Sequence, residues 1–341
     1  MPNRTAIRAL GRAGFTAAMA AGVGLLVASA RPRRYVEEAA PAEPPAGLPP
    51  ARIVHVPGRG EMFVREAPGP QDASAPTILL LHGWMFPADL NWFACYGPLS
   101  EVARVIAVDH RGHGRGPRPT QPFRLRDVAD DAAALVRHLG VGPVIAVGYS
   151  MGGPVAQLLW RRNRDVVAGL VLGATSDTFN DTSFERWRWR LMGVLQVLLR
   201  VVPRAWWEAG AELQAREGSR MVVTRLITSE TSEELRALIP WVVAELDRGS
   251  AEDIAEAGRE LSRYEARDWI GELDVPAAVL VTARDRLVPP ERQRDLAARI
   301  GGFVQELPLD HDGVGSRPDL FVPALLKAVD SVQQALLDGG A

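Results

Sequence analysis

Short apolar runs alternate with helix-like patterns from about residue 52 onwards. Two runs, 53–56 and 62–65, predict a β-hairpin. The later runs are almost continuously apolar, which is typical of strands buried on both faces of a parallel sheet. They lie at residues 77–83, 104–109, 143–148, 168–174, 277–285 and 303–308.

Helical patterns separate these runs. Residues 125–140 carry apolar side chains at helical spacing, and Gly140 is placed where it would end that helix. Strands that alternate with helices are typical of a layered α/β fold. The sequence therefore predicts a doubly wound, mostly parallel sheet in one domain that spans residues 52–341.

One stretch, about residues 176–272, interrupts this alternation because it contains no convincing strand pattern. It predicts a helical lid insertion, in which residues 191–202 form a helix that could also contact lipid. Two interpretations of its aromatic content stay open: the rings form the insertion's own core, or they line an apolar lid over a site. The stretch carries six of the chain's nine tryptophans: Trp187, Trp189, Trp206, Trp207, Trp241 and Trp269.

The N-terminal residues 1–34 have a different character. Three arginines precede an uncharged segment, 13–30, which as a helix would be roughly 27 Å long. This pattern predicts a membrane-directed segment, either a cleaved signal or a retained anchor, and hence a protein that is exported or membrane-associated. Residues 35–51 contain five prolines and predict an extended linker.

Composition narrows the classes of partner. The formal net charge of -2 leaves no basic footprint for nucleic acid, so a small-molecule partner is expected. The single cysteine, Cys95, cannot form an intramolecular disulfide, and no second thiol or histidine cluster has metal-ligand spacing. We therefore expect neither a metal nor a cofactor, while the oligomeric state stays open.

The hexapeptide Gly-Tyr-Ser-Met-Gly-Gly at 148–153 follows an apolar run and precedes a helical pattern. So tight a turn from strand to helix would force Ser150 to a positive φ and expose its hydroxyl above the sheet edge. Gly148 and Gly152 stand where a Cβ atom would collide across such a turn. The pattern predicts that Ser150 is a nucleophile.

A serine nucleophile needs a base, and the base needs an orienting acid. Five of the six histidines precede Ser150, and only His311 follows it, directly after the last predicted strand. Asp285 ends the preceding strand and completes the chain order serine, acid, histidine, with Asp177 as the competing acid. The backbone amides of Met151 and Trp84 are the predicted oxyanion donors.

Together these motifs resemble the α/β-hydrolase fold proteins, in their lipase- and esterase-like branch, over about residues 52–335 apart from the insertion. The matching segments stand in the family's order: LLLHGW at 79–84, DHRGHGRG at 109–116, GYSMGG at 148–153, ARDRLVPP at 283–290, and His311. The combination of HGW with GYSMGG also looks like the cofactor-free haloperoxidase or perhydrolase group.

The resemblance implies a serine hydrolase that cleaves a carboxylic ester through an acyl-enzyme and needs no cofactor. The tryptophans and aliphatic runs of the insertion favour an apolar acyl or ring-bearing group. Two alternatives stay open: a perhydrolase with the same triad, and a non-catalytic binding member of the fold. The chain departs from the family at Asp310, where glycine is usual before the histidine, and at Arg115, where serine is common.

Overall fold

The computed structural model describes residues 43–71, 75–118, 120–180, 233, 237–246, 248–249 and 251–339. Its centre is one eight-stranded sheet. The strands are β1 (Ala51–Val56), β2 (Gly60–Ala67), β3 (Thr77–Leu81), β4 (Arg104–Val108), β5 (Val144–Tyr149), β6 (Val167–Gly173), β7 (Ala277–Thr282) and β8 (Phe303–Leu307).

The strands lie in the order β1-β2-β4-β3-β5-β6-β7-β8. The hairpin of β1 and β2 is antiparallel, and β2 also pairs antiparallel with β4. All remaining neighbours are parallel. The prediction of a mostly parallel sheet is therefore confirmed, and the carboxyl ends of its parallel strands share one edge, where open α/β sheets place their sites.

Helices cover both faces of the sheet. They are α1 (Ala88–Trp92), α2 (Tyr96–Ser100), α3 (Leu125–Leu139), α4 (Gly152–Arg162), α5 (Ile239–Leu246), α6 (Ala251–Leu261), α7 (Pro290–Ile300), α8 (Gly313–Ser316) and α9 (Pro318–Gly339). Short 3₁₀ turns lie at Arg164–Val166 and Ile270–Glu272. Helix α3 ends where the sequence predicts, because Gly140 follows it in the left-handed conformation with φ 64°.

The almost continuous apolar runs reflect a core on each face. In β3, Leu79 and Leu81 pack in the layer that contains α3 and α4, whereas Ile78 and Leu80 pack in the layer that contains α2 and α9. Successive strand residues point to opposite faces, so a strand covered on both sides needs apolar residues at every position.

Much of the predicted insertion lies outside the described residues, including the 191–202 segment and the first four of its tryptophans. Two of its tryptophans are described. Trp241 in α5 packs edge-on against Phe93, with ring centroids 5.8 Å apart, and Trp269 stacks on Trp160 of α4 at 6.3 Å. Trp241 thus packs at the C-terminal end of α1, and Trp269 packs on α4.

The predicted membrane-directed segment, 13–30, also lies outside the described residues. Within the described ranges, one helix, α9, is long and apolar enough to cross a membrane, with a mean hydropathy of 1.3. Its buried residues form part of the core beside the sheet, which is the position of a core helix in a folded domain. They are Phe321, Val322, Ala324, Leu325, Ala328, Val329 and Val332.

Candidate active site

The turn between β5 and α4 holds Ser150 in a strained backbone conformation. Its φ is 52°, in the left-handed region that costs a non-glycine residue about 1–3 kcal/mol. Its amide donates to the carbonyl of Gly173 (3.0 Å), and its carbonyl accepts from the amide of Gly153 (2.9 Å) and the hydroxyl of Thr175 (2.7 Å). The surrounding hydrogen bonds therefore fix the turn, and Ser150 is largely buried, at 8% exposure, although the sequence predicts an exposed hydroxyl.

Glycines allow the chain to pack this closely. A Cβ atom at Gly148 would collide with the carbonyl oxygen of Gly152, and one at Gly152 would collide with the carbonyl oxygen of Leu81. Gly148 therefore meets a carbonyl across the turn, whereas Gly152 meets the backbone at the end of the neighbouring strand β3, a contact that the turn alone does not predict. The third, Gly153, faces the side chain of Thr175, a contact that the sequence pattern does not reveal.

The structure brings Ser150, His311 and Asp285 into one hydrogen-bonded chain. His311 Nε2 lies 2.9 Å from Ser150 Oγ, and His311 Nδ1 lies 2.8 Å from Asp285 Oδ2. With the carboxylate ionised, Nδ1–H donates to Asp285, which leaves Nε2 to accept the hydroxyl proton of Ser150. The arrangement is suited to removing a proton from the serine.

Asp285 is anchored through both carboxylate oxygens. Oδ1 accepts from the backbone amides of Leu287 and Val288, each at 2.8 Å. Oδ2 accepts from the Thr282 hydroxyl at 2.7 Å and the Gln293 amide at 3.1 Å. These donors orient the carboxylate towards the imidazole.

The carboxyl of Asp285 is held in its charged form. Burial alone would raise its pKa, but the attraction and hydrogen bond of His311, with further bonds from Val288 and Thr282, keep the pKa below its ordinary value. The sequence patterns do not identify Thr282 or Gln293 as partners of Asp285. A signal existed for Gln293, because it lies on the same face of α7 as the buried Leu296, where a polar residue needs a partner.

The competing acid lies elsewhere. Asp177 is buried and pairs with Arg299 at 2.5 Å. Asp310 accepts from the backbone amide of His311 at 2.7 Å and forms an ion pair with Arg286. Its carboxylate therefore pairs with these groups and not with the imidazole.

The loop after β3 lies against Ser150. A Cβ atom added at Gly83 would lie 3.3 Å from Cβ of Ser150. The Gly83 amide donates to Asn91 at 2.6 Å, and the indole of Trp84 donates to the carbonyl of Ile254 in α6 at 2.7 Å. Met151 follows Ser150 directly and caps α4. The assignment of the Trp84 and Met151 amides as oxyanion donors stays a prediction.

Three buried histidines, His82, His110 and His113, pack together next to this loop. His82 donates from Nδ1 to the carbonyl of Gly83 (2.8 Å) and accepts from the amide of His110 (2.9 Å). Burial and the neighbouring imidazoles lower the pKa of His82 well below its ordinary value and that of His110 to about 3. Burial also lowers the pKa of His113 to about 4. These rings stay neutral and act in packing.

No group of histidine, cysteine and acidic side chains within the described ranges is arranged to hold a metal ion.

Residues 76–313 match a protein family described as alpha/beta hydrolase fold. The chain belongs to this family. A crystal structure of an enol-lactonase from Burkholderia xenovorans has the same fold, with a TM-score of 0.65 and 20% identity over 82% of this chain and 100% of that one.

Two curated relatives of this α/β-hydrolase are similar over shorter stretches. A bifunctional esterase/perhydrolase of Acinetobacter calcoaceticus is 42% identical over 106 residues, which are 30% of this chain and 37% of that protein. A soluble epoxide hydrolase of Corynebacterium sp. is 38% identical over 95 residues, 28% of this chain and 33% of that protein. The matches thus span about a third of each relative's length.

Proposed function

We propose that this α/β-hydrolase is a serine esterase that acts on small carboxylic esters through an acyl-enzyme. The observation that carries the proposal is the hydrogen-bonded chain from Asp285 through His311 to Ser150, with distances of 2.8 and 2.9 Å. The acid is buried and ionised, and the serine lies on a strained turn. Together with the histidine, they are the groups that activate a serine nucleophile and stabilise the imidazolium that forms.

In the proposed mechanism, Ser150 Oγ attacks the ester carbonyl carbon while its proton passes to His311 Nε2. Asp285 stabilises the resulting imidazolium, and the amides of Met151 and Trp84 stabilise the tetrahedral oxyanion. Collapse breaks the bond to the alkoxide, which takes the proton from His311 and leaves as an alcohol. Water then attacks the Ser150 ester with His311 as base, which releases the acid and restores the serine hydroxyl.

An apolar acyl or ring-bearing group is the proposed substrate type. Helix α1, which follows the loop of Trp84, and helix α5 share a small apolar cluster built on Leu90, Trp241 and Leu246, with Phe93 packed against it. Apolar pocket walls select substrates mainly by the apolar area that they bury. The tryptophans and aliphatic runs of the insertion favour this class of ester.

A second candidate is perhydrolysis, favoured by the similarity to the bifunctional esterase/perhydrolase. Hydrogen peroxide would replace water as the nucleophile that attacks the Ser150 ester, and the product would be a peracid in place of the acid. Peroxide-dependent bromination in the presence of acetate measures this activity. Ester hydrolysis without bromination would eliminate the perhydrolase alternative.

The esterase proposal predicts the effect of removing the nucleophile. In Ser150→Ala, turnover of short p-nitrophenyl esters should fall by roughly 10⁴ to 10⁶, because residues of such a unit act together. His311→Ala should lose a comparable amount. Undiminished turnover in Ser150→Ala would contradict the proposal, and an inactive wild-type protein that still binds esters would favour the non-catalytic alternative.

A further inference from the structure

His311 is held by its backbone as well as by its ring. Its amide donates to Asp310 Oδ1 at 2.7 Å, and its carbonyl accepts from the hydroxyl of Tyr149 at 2.6 Å. The histidine lies in the loop between β8 and α8, where local hydrogen bonds must supply the rigidity that a strand or helix would otherwise provide. Both of its backbone polar groups are therefore anchored by side chains.

The Asp310 anchor joins the loop of the base to the loop of the acid. The same Oδ1 atom that receives the His311 amide also accepts the backbone amide of Arg286 at 3.1 Å, and the carboxylate pairs with the Arg286 guanidinium. Arg286 directly follows Asp285 in the chain. Asp310 thus links the backbones beside two members of the triad.

The Tyr149 anchor joins the base to the nucleophile, because Tyr149 directly precedes Ser150. Its ring is buried between Trp92 and Phe321, which approach edge-on with centroids 6.2 and 5.6 Å away. Burial raises the pKa of Tyr149 well above its ordinary value, so the hydroxyl keeps the proton that it donates. The packing leaves the phenol little freedom to release His311.

We propose that Tyr149 and Asp310 are positioning residues, which hold the backbone of His311 in register with Ser150 and Asp285. The proposal rests on the esterase function. We call the two side chains and the Arg286 amide the backbone brace. Each member of the brace is a chain neighbour of one triad residue, so the brace links the three segments that carry Ser150, Asp285 and His311. A base displaced by even 1 Å from its reactive geometry loses about 10²-fold in rate.

The brace predicts a loss in kcat with little change in KM, because neither side chain is proposed to touch the substrate. Tyr149→Phe keeps the ring packing and removes the hydroxyl, and we expect about a tenfold fall in kcat for p-nitrophenyl acetate. Asp310→Ala should lose a similar factor. Asp310→Asn keeps an oxygen that can accept both amides, so it should restore kcat to within about threefold of wild type.

A spectroscopic readout separates positioning from general damage. The Nδ1 proton of His311, shared with Asp285, should give a low-field proton resonance in wild type and in Asp310→Asn. This resonance should broaden or vanish in Tyr149→Phe and Asp310→Ala, while far-ultraviolet circular dichroism and the unfolding midpoint show that the variants fold. Should Tyr149→Phe fail to fold, the comparison of Asp310→Ala with Asp310→Asn still tests the brace.

Arg294→Ala is the matched control, since it removes an exposed ion pair to Glu306 on β8 without touching the brace. Its kcat and its low-field resonance should match those of the wild type. Unchanged kcat in Tyr149→Phe and Asp310→Ala, with an active wild type and an inactive Ser150→Ala, would overturn the brace and leave the esterase intact. Equal losses in Asp310→Asn and Asp310→Ala would also overturn it, because charge rather than the acceptor oxygen would then be responsible.

Discussion

Ser150 adopts a backbone conformation that a serine disfavours, and the residue types around it follow from that conformation. The tight turn requires glycine where the backbones approach closely, so the spacing of Gly148 and Gly152 identifies Ser150 as the proposed nucleophile. His311 can be predicted from the sequence because no other histidine follows Ser150. Residues that are fixed by chain order or by backbone sterics can therefore be predicted from a sequence.

Residues that orient the site by hydrogen bonds are harder to predict from the sequence. Tyr149, Thr175 and Thr282 act through hydrogen bonds to groups that are distant in sequence or in the next turn. Their residue types are common at the ends of buried strands, so only the three-dimensional arrangement distinguishes them. The sequence therefore predicts the three side chains that the structure joins by hydrogen bonds, Ser150, His311 and Asp285, but not the residues that orient them.

The choice of acid predicts a contrast between two aspartates. Asp285→Asn should lower kcat by about 10⁴, because an amide that donates to His311 stabilises the wrong tautomer. Asp177→Asn should leave kcat near wild type, since Asp177 pairs with Arg299 rather than with the imidazole. Steady-state ester kinetics of the two folded variants measure the contrast, and a larger loss in Asp177→Asn would reverse the assignment.

Among the elements, helices α5 and α6 are docked on the loops that surround the site. Arg115, in the loop after β4, donates its amide to Asp109 at 2.8 Å and pairs its guanidinium with Glu245 of α5. The indole of Trp84 meets the carbonyl of Ile254 in α6. Arg115, a departure from the family's usual serine, thus has a physical role, because serine could not span to α5. Hydrophobic periodicity identifies helices, whereas their docking depends on such single contacts.

This docking predicts an unequal effect of removing two glutamate charges. Glu245 is buried, so Glu245→Gln should lower the free energy of unfolding by about 2–3 kcal/mol, since Arg115 loses a charged partner. Glu272 pairs with Arg161 at the surface, and Glu272→Gln should cost less than about 1 kcal/mol. Urea unfolding measures both values, and equal losses would contradict the docking role of Glu245.

Across the whole molecule, buried histidines make stability depend on pH. The pKa values of His110 and His113, about 3 and about 4, lie below those of the unfolded chain, so their contribution is present above pH ~6.5 and is lost as the pH falls towards 4. His82 acts in the same direction. Burial raises the pKa of Asp109 to about 6, so its opposing contribution is lost as the pH rises through 6. The other carboxyls act in both directions, because burial raises the pKa values of Asp131, Asp177 and Asp312 whereas those of Glu66, Asp130 and Asp285 are lowered. We therefore expect the three histidines to set the direction of the pH dependence.

We therefore predict that the free energy of unfolding falls by roughly 1–3 kcal/mol per pH unit between pH 6 and 4.5. His113→Gln should reduce this slope by about 1.4 kcal/mol per unit, because it removes one proton-binding group from the unfolded chain. His138→Gln, at an exposed position of α3, is the control and should keep the wild-type slope. Urea titrations at several pH values measure the slopes, and a slope unchanged in His113→Gln would refute this origin.

The architecture as a whole was the most predictable level. Strands such as β3 and β5 need apolar residues at every position because helices cover both sheet faces, and that requirement is visible in the sequence. The sequence does not reveal how α5, within the predicted insertion, docks on the loop after β4, since that depends on contacts such as that of Glu245 with Arg115.

The most direct test of the nucleophile is mass spectrometry of the protein after reaction with a fluorophosphonate. We expect one covalent adduct, on the peptide that contains Ser150, and no adduct in Ser150→Ala. An adduct on another residue with Ser150 unmodified, or an ester-hydrolysing wild type that forms no adduct, would contradict the assignment of Ser150 as the nucleophile.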